Sequence, residues 1–201
     1  AEGTKVVTAR IGNGGSLAAV VDGKCIDTTM GLTPLEGGMM GTRSGDIDGG
    51  AVAFIQKKLG LDADGISDLL NKKSGIAGLT GLSSDMRDIE NAANAGNERA
   101  QIAQDSYFYR IKKYVGAYAA AMGGIDVLVF TAGVGENQTP MREDVCRGLE
   151  FMGIKIDAEK NAKIRGEEAI ISTPDSRVKV VVIPTDEELM IASDTMALIS
   201  K

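Results

Sequence analysis

The sequence predicts an α/β domain built on one sheet of mixed direction. Three observations lead there. Three short β-type runs open the chain, a long helical stretch fills its middle, and two apolar runs, each followed by helical sequence, lie in its last third. Strands joined by tight turns pair antiparallel, whereas strands separated by helices pair parallel, so one sheet must hold both kinds of neighbour. A chain of 201 residues suits one such domain with a sizeable core.

The opening runs are 5–10, 16–21 and 24–29. Gly12-Asn13-Gly14-Gly15 joins the first pair and Asp22-Gly23 the second. Asp-Gly between alternating apolar runs is a strong hairpin signal, because its turn requires positive φ. The same demand is expected at Asn13, Gly14 and Gly15. An antiparallel meander results. The small residues at the first tip also let backbone N–H groups come close to an anion.

Residues 30–50 form a glycine-dense loop without periodicity, carrying Arg43 and the apolar pair Met39-Met40. A loop of this length inside a compact domain points to function, and the methionines point to packing. Residues 51–59 and 66–72 read as short helices, with Ser67-Asp68 as the cap of the second. Residues 73–82 read as a glycine-rich turn region. Ser83-Ser84-Asp85 starts a helix over 86–95, which Gly96 breaks. The longest helical pattern is 97–122, with Ile102, Phe108, Ile111, Val115 and Tyr118 at three- and four-residue steps. Gly123-Gly124 ends it. The helical portion 51–122 is expected as an insertion within the domain.

The run Ile-Asp-Val-Leu-Val-Phe at 125–130 reads as a buried central strand. A Gly-x-Gly turn over 131–137 and a helix over 141–152 come next. Strand, glycine turn and helix N-terminus make an anion-friendly unit, because orphan N–H groups and the helix dipole converge on the turn. A short strand is expected at 154–156, a helix at 158–165, a second buried strand at 178–183 and a closing helix at 186–198. Glu187 and Glu188 lie in that helix's first turn, where acids are favoured.

Composition narrows the chemistry. A net charge of −6 and the absence of Trp argue against nucleic-acid binding or broad contact with an anionic membrane. No apolar run reaches the ~20 residues of a membrane span. Cys25 and Cys146 are far apart, show no metal or disulfide spacing and read as inert, which suits a reducing cytoplasm. The chain has no histidine, so any chemistry falls to Arg, Lys, Asp, Glu, Asn, backbone amides or a metal ion.

Five blocks then fall into one pattern, in order along essentially the whole chain. They are Arg10 to Val20 with its Gly-Asn-Gly tip, Met40-Gly41-Thr42-Arg43-Ser44-Gly45-Asp46, Ser83-Ser84-Asp85-Met86-Arg87, Phe130 to Asn137, and Ile183 to Leu189. Together they resemble the C-terminal half of the acetate kinase family. The resemblance implies a ribonuclease H-like (actin-like ATPase) domain over 1–201, serving nucleotide binding and dimerisation. It implies ATP or ADP with Mg2+, and transfer of the γ-phosphoryl group to acetate in a cleft between two halves. By the same resemblance, Asn13 and Gly14 contact phosphate, Asp85 and Arg87 line the adenosine pocket, and Gly133, Gly135 and Asn137 hold the nucleotide opposite. Arg43 stabilises charge on the phosphoryl group, and Glu187 positions Mg2+. These residue types suit that chemistry. Phosphoryl transfer needs placed charge, a guanidinium matches a planar phosphoryl group, and a carboxylate matches Mg2+.

Two departures qualify the resemblance. Arg10 stands where the family pattern has histidine, and a family N-terminal half is missing from the sequence. Both point to an isolated or engineered domain with weak or absent turnover by itself, unless that half is supplied separately. Simpler readings stand beside the functional ones. Arg43 alone is a surface charge, Asp85 a helix cap, Glu187 a helix-dipole acid, and Arg87 a partner of Asp88 or Glu90. Three functions are expected in order: a nucleotide-binding domain, a homodimerisation or structural module, and a minimal ATPase or phosphotransferase formed by a homodimer with Arg43 and Arg10.

Overall fold

A computed structural model describes residues 2–200. The meander forms as expected, with β1 (Lys5–Ile11), β2 (Gly15–Val21) and β3 (Lys24–Thr28) paired antiparallel. At the second turn Asp22 and Gly23 both take positive φ, the geometry of a two-residue hairpin. The first tip differs from expectation: none of residues 12–15 has positive φ. Space at the tip is tight: a Cβ on Gly12 would lie 3.3 Å from Gly14 O. A Cβ on Gly14 would lie 3.3 Å from the Arg43 guanidinium.

Three strands of the second half complete the sheet: β4 (Val127–Thr131), the two-residue β5 (Ala169–Ile170) and β6 (Lys179–Val182). The strand order is β3-β2-β1-β4-β6-β5. β1, β4 and β6 run parallel, and β5 returns antiparallel at the edge. This is the mixed α/β, ribonuclease H-like arrangement that the sequence predicts. β4 sits between β1 and β6 with Leu128 and Phe130 fully buried, each contributing about 1.5–3 kcal/mol by leaving water. β5 is invisible in the sequence because two residues leave no periodic signal. The expected strand at 154–156 reduces to two isolated bridges, Ile154 to Val178 and Ile156 to Ser172.

Helices fill the chain between β3 and β4: α1 (Gly49–Leu59), α2 (Ala63–Lys72), α3 (Gly75–Thr80), α4 (Met86–Asn94) and α5 (Glu98–Met122). The cap of α2 is Asp62, whose carboxylate accepts from Gly65 N at 2.8 Å; Ser67 and Asp68 lie within the helix. The expected turn region at 73–82 holds α3. Its glycines disfavour a helix, but tertiary bonds hold it: Ile76 N donates to Met40 O and Ala77 N to Gly41 O. The 25-residue α5 packs across β1 and β2, burying Phe108, Ile111, Val115 and Tyr118. Ile102 breaks that pattern at 62% exposure, on the helix's outward face.

After β4 come α6 (Ala132–Asn137), α7 (Thr139–Cys146), a 3-10 turn at Glu150–Met152, α8 (Ala158–Lys163) and α9 (Glu187–Ile199). The expected glycine turn over 131–137 is largely helix. α6 starts directly at the strand end because Ala132 adopts φ +62°, a left-handed conformation that turns the chain within one residue. No residue of α9 is buried. Cys146 packs in the core, but Cys25 lies exposed on β3, so only the former is an inert filler. Among the described residues, no helix is long and apolar enough to cross a membrane.

Candidate functional site

Three parallel strands end on the same side of the sheet, and the segments after their ends build the site. Residues 12–15 come after β1, α6 after β4, and residues 183–187 after β6. Clefts outside the carboxyl ends of parallel strands are the common ligand sites of α/β sheets. Here a cavity of about 730 Å3 opens at those ends. Gly12, Asn13 and Gly41 line its inner end. Ser84, Asp85, Met86, Arg87 and Glu90 line one wall, and Gly133, Val134, Asn137 and Gln138 the other.

The inner end is assembled by backbone. Gly12 N donates to Gly14 O, and Gly41 N donates to Asn13 O, both at 2.9 Å. A Cβ on Gly41 would collide with the Asn13 side chain and sit 3.0 Å from Ser84 O, so this position has no room for a side chain. The glycine tip, the 30–50 loop and the start of α4 therefore meet here. Met40, which lies buried, anchors that loop as its composition suggests.

The α4 wall is built from a cap. Asp85 accepts from Arg87 N at 2.9 Å and from the Arg87 guanidinium at 2.6 Å. These side-chain and backbone bonds hold the Asp85 carboxyl down at about 2, against a usual 3.8. Arg87 thus pairs with Asp85, and Asp88 accepts instead from the Ser83 hydroxyl at 2.7 Å. Cap and candidate ligand contact coincide in one residue.

The α6 wall is gripped from behind by a residue that no sequence motif singles out. Arg142 of α7 is 0% exposed. Its Nη1 donates to Gly135 O and Glu136 O at 2.9 and 2.7 Å, and its Nη2 donates to Ile164 O at 2.7 Å. Its Nε donates to Asn161 Oδ1 at 2.8 Å, and Asn161 Nδ2 donates to Thr139 O at 2.9 Å. Burial pushes the guanidinium down to about 10, with nearby Arg165 adding to the effect, so it stays charged at neutral pH. Oriented carbonyls, not a carboxylate, neutralise it. The sequence offered a weak signal, an arginine at a position that packs between Met141 and Val145.

The remaining candidate residues lie beside the cavity. Gly135 is buried beneath it, and Gly14 faces Arg43. Arg43 Nη1 donates to Pro34 O at 3.3 Å, and Arg43 borders a second hollow with Thr42, Asp64 and Asp68. Arg10 and Glu187 pair with each other, joining the end of β1 to the start of α9. Glu136, not anticipated, accepts from Thr185 N at 2.9 Å and from the Thr185 hydroxyl at 2.7 Å, tying α6 to the segment before α9. Among the described residues, no three His, Cys, Asp or Glu side chains cluster to hold a metal. Glu187 offers a carboxylate, enough for an ion held mainly by phosphates and water, but its present partner is Arg10.

Residues 1–193 match the family model described as the Acetokinase family. The chain is 69% identical to an acetate kinase of Bacteroides thetaiotaomicron over 199 residues, covering 99% of this chain and 50% of that protein. It superposes on the crystal structure of Porphyromonas gingivalis acetate kinase with a TM-score of 0.95 at 60% identity, covering 98% of this chain and 50% of that one. A propionate kinase from Francisella tularensis superposes with a TM-score of 0.87 at 43% identity, covering 94% and 48%. The chain spans about half the length of the curated relatives it matches.

Proposed function

We propose a function from one premise: this chain belongs to the acetokinase family. It is the family's C-terminal nucleotide-binding domain over residues 1–201, with 51–122 as a helical insertion. It takes ATP or ADP in the cleft between Asp85 to Glu90 and Gly133 to Gln138. The single observation behind this reading is the cavity at the carboxyl ends of the parallel strands, which five of the candidate residues line.

In this reading the small residues at Gly12, Asn13, Gly14 and Gly41 receive the phosphates, with backbone close enough to replace side chains. Asp85 and Arg87 flank the ribose, and Gly133 and Asn137 close the other side, with Gly135 beneath. Arg43 offers a planar fork of donors to the transferring phosphoryl group. Arg10 is drawn toward phosphate oxygens, and this releases Glu187. Glu187 would then hold Mg2+ through water, and the bound ion would supply charge neutralisation on the phosphates. Transfer from ATP to acetate belongs to the longer family protein, and turnover by this chain alone is weak or absent.

Calorimetry with ADP and ATP, with and without Mg2+, tests the proposal. Saturable heat and a raised melting temperature are expected, and neither at millimolar nucleotide overturns it. An association reading rests on a different observation, the large apolar side chains exposed on α1 and α9, including Phe54, Leu59, Leu189 and Ile191. Homodimerisation through such a face is compatible with nucleotide binding. A monomer in concentrated sedimentation runs would remove it.

A further inference from the structure

Arg43 holds its place through two separate sets of bonds. The first fixes its main chain. Met40 N donates to Arg43 O at 3.1 Å, Ser44 N to Leu70 O at 2.9 Å, and Ser74 N to Thr42 O at 3.0 Å. The second aims its side chain. Arg43 Nη1 donates to Pro34 O at 3.3 Å, with Met40 Sδ at 3.5 Å, and in this pose it stands against Gly14 of the glycine tip. Pro34 belongs to the irregular, mostly exposed segment 31–36, so its carbonyl keeps its place only if that segment is tethered.

The tether is Asp46. Its N–H donates to Gly37 O at 2.8 Å, and its Oδ1 accepts from Gly37 N at 2.9 Å. These two bonds close residues 37–46 into a ring that carries Arg43. The neck of the ring is tight, since a Cβ on Gly45 would lie 2.5 Å from Gly37 O. The Asp46 carboxylate is fastened in turn to α5. The Tyr114 hydroxyl donates to Asp46 Oδ2, Arg110 Nη2 donates to Asp46 O at 3.3 Å, and Arg110 Nη1 stands 3.7 Å from Oδ2. Burial, followed by the bond to Asp46, pushes the Tyr114 hydroxyl up, so it remains a donor at neutral pH. Because α5 is bedded on β1 and β2, the neck is held to the same two strands that carry the glycine tip.

We infer that Asp46, held by Tyr114 and Arg110, is a positioning residue: it fixes the carbonyl that aims the Arg43 guanidinium at the glycine tip. It acts through Arg43 and not on the ligand. The inference rests on the reading that Arg43 meets the transferring phosphoryl group. That group is present in ATP and absent from ADP, so the effect has a signature. A misaimed Arg43 weakens ATP and spares ADP, whereas a merely structural role weakens both alike.

Calorimetry with ATP and ADP, both in EDTA, on the chain and on Asp46→Ala, Tyr114→Phe and Arg43→Met tests it. Arg43→Met sets the scale: ATP affinity is expected to fall about tenfold with ADP within about twofold, the size of one lost charge-assisted contact. Asp46→Ala is expected to approach that change, and Tyr114→Phe, which removes one hydroxyl, to reach about threefold. In the Arg43→Met background, Asp46→Ala is expected to leave the ATP-to-ADP ratio unmoved, because no guanidinium is left to aim. An Asp46→Ala variant that weakens both nucleotides alike or neither, or that shifts the ratio equally without Arg43, overturns the inference. If Asp46→Ala does not fold, Tyr114→Phe decides, because an unchanged ratio there overturns it. An unchanged ratio in Arg43→Met removes the Arg43 reading and this inference together but leaves nucleotide binding standing, whereas no binding of either nucleotide removes that as well.

Discussion

One wall of the cleft, Ala132 to Gln138, is fastened from behind by the buried Arg142, which reaches carbonyls of α6 and of the residue after α8. The opposite wall, Ser84 to Glu90, is held by the Asp85 cap and its exposed partner Arg87. Each arrangement uses a guanidinium. In the first it is dry and has no water to replace a lost partner; in the second it is wet and replaceable. The two walls therefore differ in where their guanidinium sits: the α6 wall is fastened through a buried one, whereas the α4 wall, seated in the core by Met86 and Ile89, keeps its own at the surface, where a ligand can meet it.

The strongest way to break this contrast is Arg142→Met. It leaves several buried carbonyls and Asn161 without their donor, and a loss of about 3–5 kcal/mol is expected in urea unfolding. A loss below about 1 kcal/mol would mean that water enters the seam and that the two walls are alike. Asp85→Ala removes the cap of α4 and is expected to cost about 1 kcal/mol. Its pH dependence sharpens the point. Because the folded Asp85 carboxyl is held at about 2, its contribution is full above the usual 3.8 and disappears as pH falls toward 2. The stability gap between the chain and Asp85→Ala should therefore be widest near neutrality and close in acid.

Ala132→Gly tests strain in the fastened wall. Relief of φ +62° favours glycine, and its greater unfolded-state freedom opposes it, so a net gain of up to about 1 kcal/mol is expected. Nucleotide binding should be retained, as the backbone keeps its path. Arg87→Ala makes the smallest change in stability, within about 0.5 kcal/mol, because the ion pair is exposed. Its effect should appear in ADP affinity instead, as a several-fold loss by calorimetry. An equal loss of stability and affinity would erase the distinction between the walls.

The contrast also explains which features the sequence reveals. The meander, the buried β4 and α5 obey local period and turn chemistry, so sequence alone shows them. The Asp85 wall is legible for the same reason, since a cap and its helix are neighbours in the chain. The Arg142 wall is not. Its partners lie up to twenty-two residues away, and nothing local distinguishes a buried arginine from a solvated one. α6 is hidden by its glycines and by the left-handed Ala132 that starts it. α3 exists because Met40 and Gly41 accept its first N–H groups, a tertiary fact. The pairing of Arg10 with Glu187 joins residues separated by nearly the whole chain. Motif blocks name both residues without bringing them together.

Arg142 also gives the fold an internal clock. Its guanidinium protons are sealed between α6, α7 and the end of α8, so they can exchange with solvent only when that seam opens. Their hydrogen-exchange rate reads the opening of one cleft wall directly, at one residue, and nucleotide that closes the cleft should slow it.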